Sequence, residues 1–98
     1  MKLYIGNNAY NTRDQTFDYY GECGTLKEMH FLMNKYYIEK NFTSYYTRWI
    51  ADKDLKGNPI WIVDFGSWTR FFYITELSGE LLNHWNKLTM GALDEQTE

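Results

Sequence analysis

One cysteine, one proline and no long apolar run are the most informative absences in this 98-residue chain. A lone Cys23 excludes an internal disulfide framework and fits a reducing compartment. A single proline and seven glycines exclude collagen-like and low-complexity classes. No stretch approaches the ~18–20 apolar residues that cross a bilayer. The opening Met1–Asn8 lacks the apolar core of a secretory leader, so the expected location is cytoplasmic. Positive charge is also scarce. Ten Lys and Arg against thirteen Asp and Glu leave a net charge of −3, which argues against a general polyanion binder. The chain carries no P-loop, GxGxxG, GxSxG, HExxH or paired CxxC. The easily read enzymes are thereby removed, and the expectation is a protein without catalytic residues, cofactor or metal.

What is present is apolar and aromatic. Apolar residues make up 44% and aromatics 19%, enough burial to offset the entropy of ordering. At 11.8 kDa there is chain for one core only, so residues 1–98 are read as a single domain. Phe, Tyr, Met, Ile, Asn and Lys, the residues of AT-rich codons, supply 40 of the 98 positions, against 14 for Gly, Ala, Arg and Pro. That bias points to an AT-rich genome, such as a low-GC bacterium or one of its phages.

The pattern predicts an α+β fold of order α-β-β-β-α: a three-stranded antiparallel meander with two helices on one face. Residues 1–24 read as an irregular N-terminal arm, 25–90 as the core and 91–98 as an acidic tail. Within the arm, Lys2–Ile5 could form a short strand and Thr16–Tyr20 one helical turn, stopped by Gly21 and Gly24. Thr25-Leu26-Lys27-Glu28 is a capping box, and Leu26, Met29, Met33 and Tyr36/Tyr37 follow at helical spacing to an end near Lys40. Thr43–Asp52, Ile60–Phe65 and Trp68–Ile74 read as strands, joined by an Asp54–Gly57 turn and a two-residue Gly66-Ser67 loop. Leu77, Leu81, Trp85 and Leu88 line a second helix that ends at Met90, with Gly91 as the residue after the cap.

Those turns fix a register. Asp52 faces Ile60, Ile50 faces Ile62 and Arg48 faces Asp64; across the second loop, Phe65 faces Trp68, Val63 faces Arg70 and Ile62 faces Phe71. Alternation then gives two faces. Tyr45, Thr47, Trp49, Ala51, Trp61, Val63, Phe65, Trp68, Arg70 and Phe72 form the larger, more apolar one, and the helices are expected there. The other face carries Tyr46, Arg48, Ile50, Asp52, Ile60, Ile62, Asp64, Thr69, Phe71 and Tyr73. It is apolar around an Arg48–Asp64 pair, and apolar surface of that extent tends to mark an interface. Two readings of it stay open. Tyr4, Ile5 and Phe17 of the arm could fold over it. Otherwise Tyr46, Arg48, Ile50, Asp64, Phe71 and Tyr73 form a partner-binding patch, for another protein or for a second copy in a homodimer.

Other candidate groups compete with plain structural roles. Cys23 precedes a helix cap, where a thiol can be activated, but neither His30 nor His84 is well directed towards it. A half-buried inert thiol is the simpler reading. Glu76, Glu80 and His84 recur every four residues and could line a helix edge as metal ligands, although no second set faces them. His84 is more simply a histidine at the core edge. Asp14, Asp18 and Glu22, with Asp52 and Asp54, read as a solvated face rather than paired catalytic acids. Asn41-Phe42-Thr43 matches a glycosylation sequon by chance.

Over 25–90 the α-β-β-β-α order resembles the double-stranded RNA-binding domain. That resemblance implies a lysine cluster at the start of the last helix, where this chain has Glu76, Ser78 and Glu80, so nucleic acid is not the expected partner. In size, AT-rich composition, acidic balance and lack of catalytic motif, the whole chain resembles small phage and mobile-element inhibitors of host defence, anti-CRISPR proteins among them. No residue motif is shared, so no site residues carry over. The resemblance implies a non-enzymatic protein-binding module that blocks a target such as a Cas effector in the host cytoplasm. The alternatives are a small nucleic-acid-binding domain and a small enzyme using Cys23.

Overall fold

A computed structural model of the chain describes residues 1–7 and 16–97, with side chains described as far as Met90. It contains β1 (Lys2–Asn7), β2 (Phe17–Glu22), α1 (Leu26–Glu39), β3 (Arg48–Lys53), β4 (Pro59–Asp64), β5 (Arg70–Thr75) and α2 (Gly79–Thr97). The strands form one antiparallel sheet in the order β2-β1-β5-β4-β3.

This corrects the expected fold: the sheet has five strands, not three, and the chain order is β-β-α-β-β-β-α. The segment read as an irregular arm supplies β1 and β2. The physical reason lies at the edge of the meander. A three-stranded sheet would leave β5 with a row of unpaired backbone groups. β1 pairs with all of β5, from Lys2 opposite Thr75 to Asn7 opposite Arg70, and β2 then pairs with β1. Phe17-x-Tyr19 is therefore a two-residue alternation on a strand, not part of a helical turn. The Met1 amino group donates to the Cys23 carbonyl at 2.7 Å, and the Cys23 N–H to the Met1 carbonyl at 2.9 Å, which extends the ladder past β1.

The helix-covered face holds the main core. Met29, Met33 and Tyr36 of α1 and Leu81 and Trp85 of α2 are buried against Leu3, Ile5, Trp61, Val63, Phe65, Phe72 and Ile74. Two indoles fasten α2 to the sheet. Trp61 Nε1 donates to the Leu81 carbonyl at 2.9 Å, and Trp85 Nε1 donates to the Asp52 carbonyl at 3.1 Å. The α1 cap forms as its sequence predicts in one direction: the Glu28 N–H donates to Thr25 Oγ1 at 3.2 Å. The returning contact differs, because Thr25 Oγ1 donates to the Glu28 carboxylate at 3.0 Å instead of Glu28 reaching the Thr25 amide. At its other end α2 continues through Gly91 to Thr97, past the stop expected at Met90. Leu88 is exposed although it lies on the Leu81–Trp85 stripe, so not all of the stripe is used by the core.

The first hairpin has the expected register, with Arg48, Ile50 and Asp52 opposite Asp64, Ile62 and Ile60. Its turn is braced by the Asp54 carboxylate, which accepts from the Lys56 N–H at 2.9 Å and the Asn58 N–H at 2.8 Å. The second hairpin differs by two residues: Val63 faces Phe72 rather than Arg70, and Ile62 faces Tyr73 rather than Phe71. Local side-chain bonds favour a longer loop over the two-residue turn. Asp64 Oδ1 accepts from the Gly66 N–H at 3.0 Å, and Ser67 Oγ accepts from the Thr69 and Arg70 N–H groups. Trp68 falls in this loop and is 91% exposed, not packed opposite Phe65. Because the slip is an even number, no strand side chain changes face.

Candidate functional site

The sheet face opposite the helices is the candidate site. The registers place its side chains in three rows. The middle row crosses all five strands as Tyr19, Tyr4, Tyr73, Ile62 and Ile50. On one side of it lie Phe17, Gly6 and Phe71, with the Asp64–Arg48 pair beyond. On the other lie Glu22, Lys2 and Thr75, then Ile60 and Asp52. Ile60, Ile62 and Tyr73 are buried as a second small cluster, with Tyr4, Ile50 and Phe71 packed around it. Among the described residues no helix side chain belongs to that cluster.

Tyr73 shows how this surface is built. Its ring lies across Gly6, where a Cβ would sit 2.5 Å from the ring and equally close to the Thr16 carbonyl oxygen. Only glycine permits that crossing. The Tyr73 hydroxyl donates to the Asn7 carbonyl at 2.9 Å. Phe17 stands edge-on to the Tyr73 ring at 4.8 Å, and Tyr4 stands edge-on to Phe17 at 6.5 Å and to Tyr19 at 5.6 Å. Phe17 and Tyr19 are 53% and 56% exposed.

Five of the six residues expected to bind a partner share this face: Arg48, Ile50, Asp64, Phe71 and Tyr73. Arg48 lies 3.9 Å from the Asp64 carboxylate, with Arg48 exposed and Asp64 mostly covered. Tyr73 is only 2% exposed, so it is a floor for the surface rather than a contact. Tyr46 precedes β3 and lies beside the Gly66 backbone at the end of the sheet, exposed. The sequence reading had Tyr4, Ile5 and Phe17 at this face only as a cover and left out Tyr19; Tyr4, Phe17 and Tyr19 belong to the face itself, and Ile5 to the helix-side core. Their signal was the apolar run of residues 3–5 and the alternation of Phe17 and Tyr19 about Asp18. β1 and β2 both widen the face and place further aromatics on it, so the arm adds to the surface as strands.

The sheet edges suit docking less well. β2 is an edge strand with a bulge between its Leu3 and Tyr4 pairings, and it carries exposed Asp18 and Glu22. β3, the other edge, carries Arg48, Asp52 and Lys53, and the Lys53 N–H is taken by Asp52 Oδ1 at 2.7 Å. Bulges and charges of this kind discourage strand addition.

Burial pushes the Cys23 thiol pKa up, against the lesser pull of the Thr25 backbone, and Cys23 Sγ donates to the Thr25 carbonyl at 3.5 Å. That is the opposite of what activates a nucleophile. Glu76 is not on α2: it adopts φ 54° ahead of the helix and pairs with Lys2 at 3.0 Å. His84 is exposed rather than at the core edge, and His30 lies edge-on to Trp49 at 6.1 Å. Among the described residues no three His, Cys, Asp or Glu side chains converge on a metal-sized site. Asp14 lies outside the described residues, and Asp18 and Glu22 belong to β2. The Asn58 backbone, as the main cause, holds the Asp54 carboxyl below its ordinary pKa, consistent with a turn brace. Burial, helped by the Glu39 carboxylate, pushes the Tyr20 phenol up to about 12. Among the described residues no helix is long and apolar enough to cross a membrane.

No known protein family, curated protein or solved structure matches this chain.

Proposed function

We propose that the chain is a non-enzymatic protein-binding module, an inhibitor encoded by a phage or mobile element that covers a functional surface of a host-defence protein such as a Cas nuclease. The observation that carries the binding reading is the exposure of Phe17 and Tyr19 on a sheet face whose cluster, among the described residues, includes no helix residue. Exposed aromatics contiguous with a packed apolar centre are the usual anchors of protein interfaces. Arg48 and Asp64 add a charged pair at one end, where they would set partner choice. The inhibitory purpose is supported by the size, acidity and AT-rich composition of the chain.

The test is a defence assay. The chain is expressed in bacteria carrying an active CRISPR–Cas system, and phage plating is compared with and without it. Restored plating that disappears in a Tyr19→Asp variant with an unchanged melting temperature supports the reading. Unchanged plating across several defence systems, together with no protein retained from host extract by the immobilised chain, overturns it.

A further inference from the structure

We propose that the cleft between α1 and the segment leading into β3 is a binding site for an uncharged, flat heterocycle of the nucleobase kind. It goes beyond the protein-binding reading and does not rest on it, because α1 covers the other side of the sheet. The cleft has a volume of about 300 Å3, at the small end of the range that holds compact ligands. Along one wall α1 supplies His30, Asn34 and Tyr37, at helical spacing. Along the other lie Ser44, Tyr45 and Tyr46. Two of these groups are held in place from behind. His30 stands edge-on to Trp49 at 6.1 Å. The Tyr37 ring is packed against Phe42, Phe65 and Phe72, at 6.0, 5.7 and 5.7 Å.

The Tyr37 hydroxyl is the feature that asks for a ligand. It is buried, and among the described residues it has no hydrogen-bond partner. Burial pushes its pKa up, and Ser44, the lesser influence, pulls it down, so the serine is close by. The Ser44 hydroxyl, however, donates to the Tyr46 and Phe65 carbonyls, at 2.9 and 3.1 Å. A buried polar group left without a bond destabilises the free protein, and a ligand that bonds it removes that cost. The lining then selects the ligand. Among the described residues no lysine, arginine, aspartate or glutamate lines the cleft, so a phosphate, carboxylate or ammonium group meets no counter-charge there. What the cleft offers is neutral donors and acceptors, with the Tyr45 and Tyr46 rings 90% and 56% exposed beside them. A base has two apolar faces to stack on such rings and a polar edge that the Asn34 amide can pair with as donor and acceptor at once. A sugar, with hydroxyls around its whole rim, is the poorer match to walls that include two rings and Met33. Tyr46, the expected contact residue that lies off the open sheet face, gains a role in this cleft.

The experiment is a titration of the full-length chain with adenosine, guanosine, cytidine and uridine, followed by the NMR signals of His30, Tyr37, Tyr45 and Tyr46. At least one nucleoside is expected to give saturable shifts at these residues. Its monophosphate should bind within ~3-fold of the nucleoside, since the cleft supplies no charge-assisted bond to the phosphate. Tyr37→Phe deletes only the hydroxyl. It should leave the melting temperature unchanged or raised, and weaken the nucleoside by roughly 3-fold or more. Asn34→Ala, at an exposed position with little folding risk, should weaken it by a similar factor. No saturable shift with any of the four nucleosides overturns the proposal. So does a methyl glucoside that binds at the same residues as tightly as the best nucleoside, or a monophosphate that binds ~10-fold or more tighter than its nucleoside. A Tyr37→Phe variant that melts lower, or that binds the nucleoside as wild type does, overturns it as well.

Discussion

The two faces of the sheet are closed by different means. On the helix side, Met, Leu and Trp side chains from two helices fill the space over Val63, Phe72 and Ile74, and all three strand residues have no exposed surface. Indole N–H groups from Trp61 and Trp85 then fasten helix to sheet. On the other side a much smaller cluster forms within the sheet itself, and its rim of Phe17, Tyr19 and Arg48 stays exposed. The difference separates stability from recognition. Removing a side chain from the first face leaves a cavity, whereas removing one from the rim of the second leaves the fold and changes what can dock.

The largest effect that sharpens this contrast is expected at Trp85. Trp85→Ala removes a buried ring and leaves the Asp52 carbonyl without its indole donor, and it should cost ~3–5 kcal/mol in urea unfolding. A cost below ~1 kcal/mol would show that α2 does not close the face. Leu3→Ala comes next, at ~2–5 kcal/mol, because Leu3 has no exposed surface and sits on a strand paired on both sides. A near-neutral result would return residues 1–7 to the role of a loose arm.

That second variant marks where the sequence was legible and where it was not. The central meander was readable because its turns carry their own chemistry: Asp54 and Gly57 fix the first register without help from distant residues. The two-residue error at Gly66 came from side chains of Asp64 and Ser67 bonding the loop backbone, which glycine-based turn rules do not capture. Both helices were found from their apolar stripes, though the end of α2 was not, since nothing in a stripe says where the sheet beneath it stops. The N-terminal strands were hidden for a different reason. Their pairing is long-range, β1 to β5 across some seventy residues of chain, and Gly6 and Gly21 look like breakers until Tyr73 and Leu32 are seen lying over them. The candidate site suffered most from this, because its aromatic corner comes entirely from β1 and β2.

Moving to the open face, Phe71 is half-buried beside the second cluster. Phe71→Ala should cost ~1–2 kcal/mol in the monomer. It should weaken partner binding by at least ~1 kcal/mol as well. A binding loss with no stability loss would mean that the patch is purely a contact surface. A stability loss with no binding change would confine the contact to the aromatic corner. Cys23 offers a smaller effect. Because burial pushes its thiol pKa up, alkylation at neutral pH should be slower than for a free cysteine. Cys23→Ser should stay within ~1 kcal/mol of wild type and leave function unchanged. Fast alkylation together with loss of function would revive a nucleophilic role.

The smallest expected effect on stability is the most telling for the comparison. Arg48 and Asp64 face each other across β3 and β4 at 3.9 Å, with the arginine well exposed, so solvent screens most of their attraction. Through the ion pair itself, exchanging them, Arg48→Asp with Asp64→Arg, should shift stability by no more than ~0.5 kcal/mol. One complication is that Asp64 Oδ1 also holds the Gly66 N–H at 3.0 Å, a bond arginine cannot replace. The single variant Arg48→Glu therefore serves as the control, since it reverses the charge and keeps the loop brace. If the open face recognises a partner, both variants should fold and both should alter association rate or partner choice, because interface charge acts on specificity more than on raw affinity. If Arg48→Glu binds as wild type does, the contact surface ends short of β3. Recognition is then left to the Tyr4, Phe17 and Tyr19 end of the sheet.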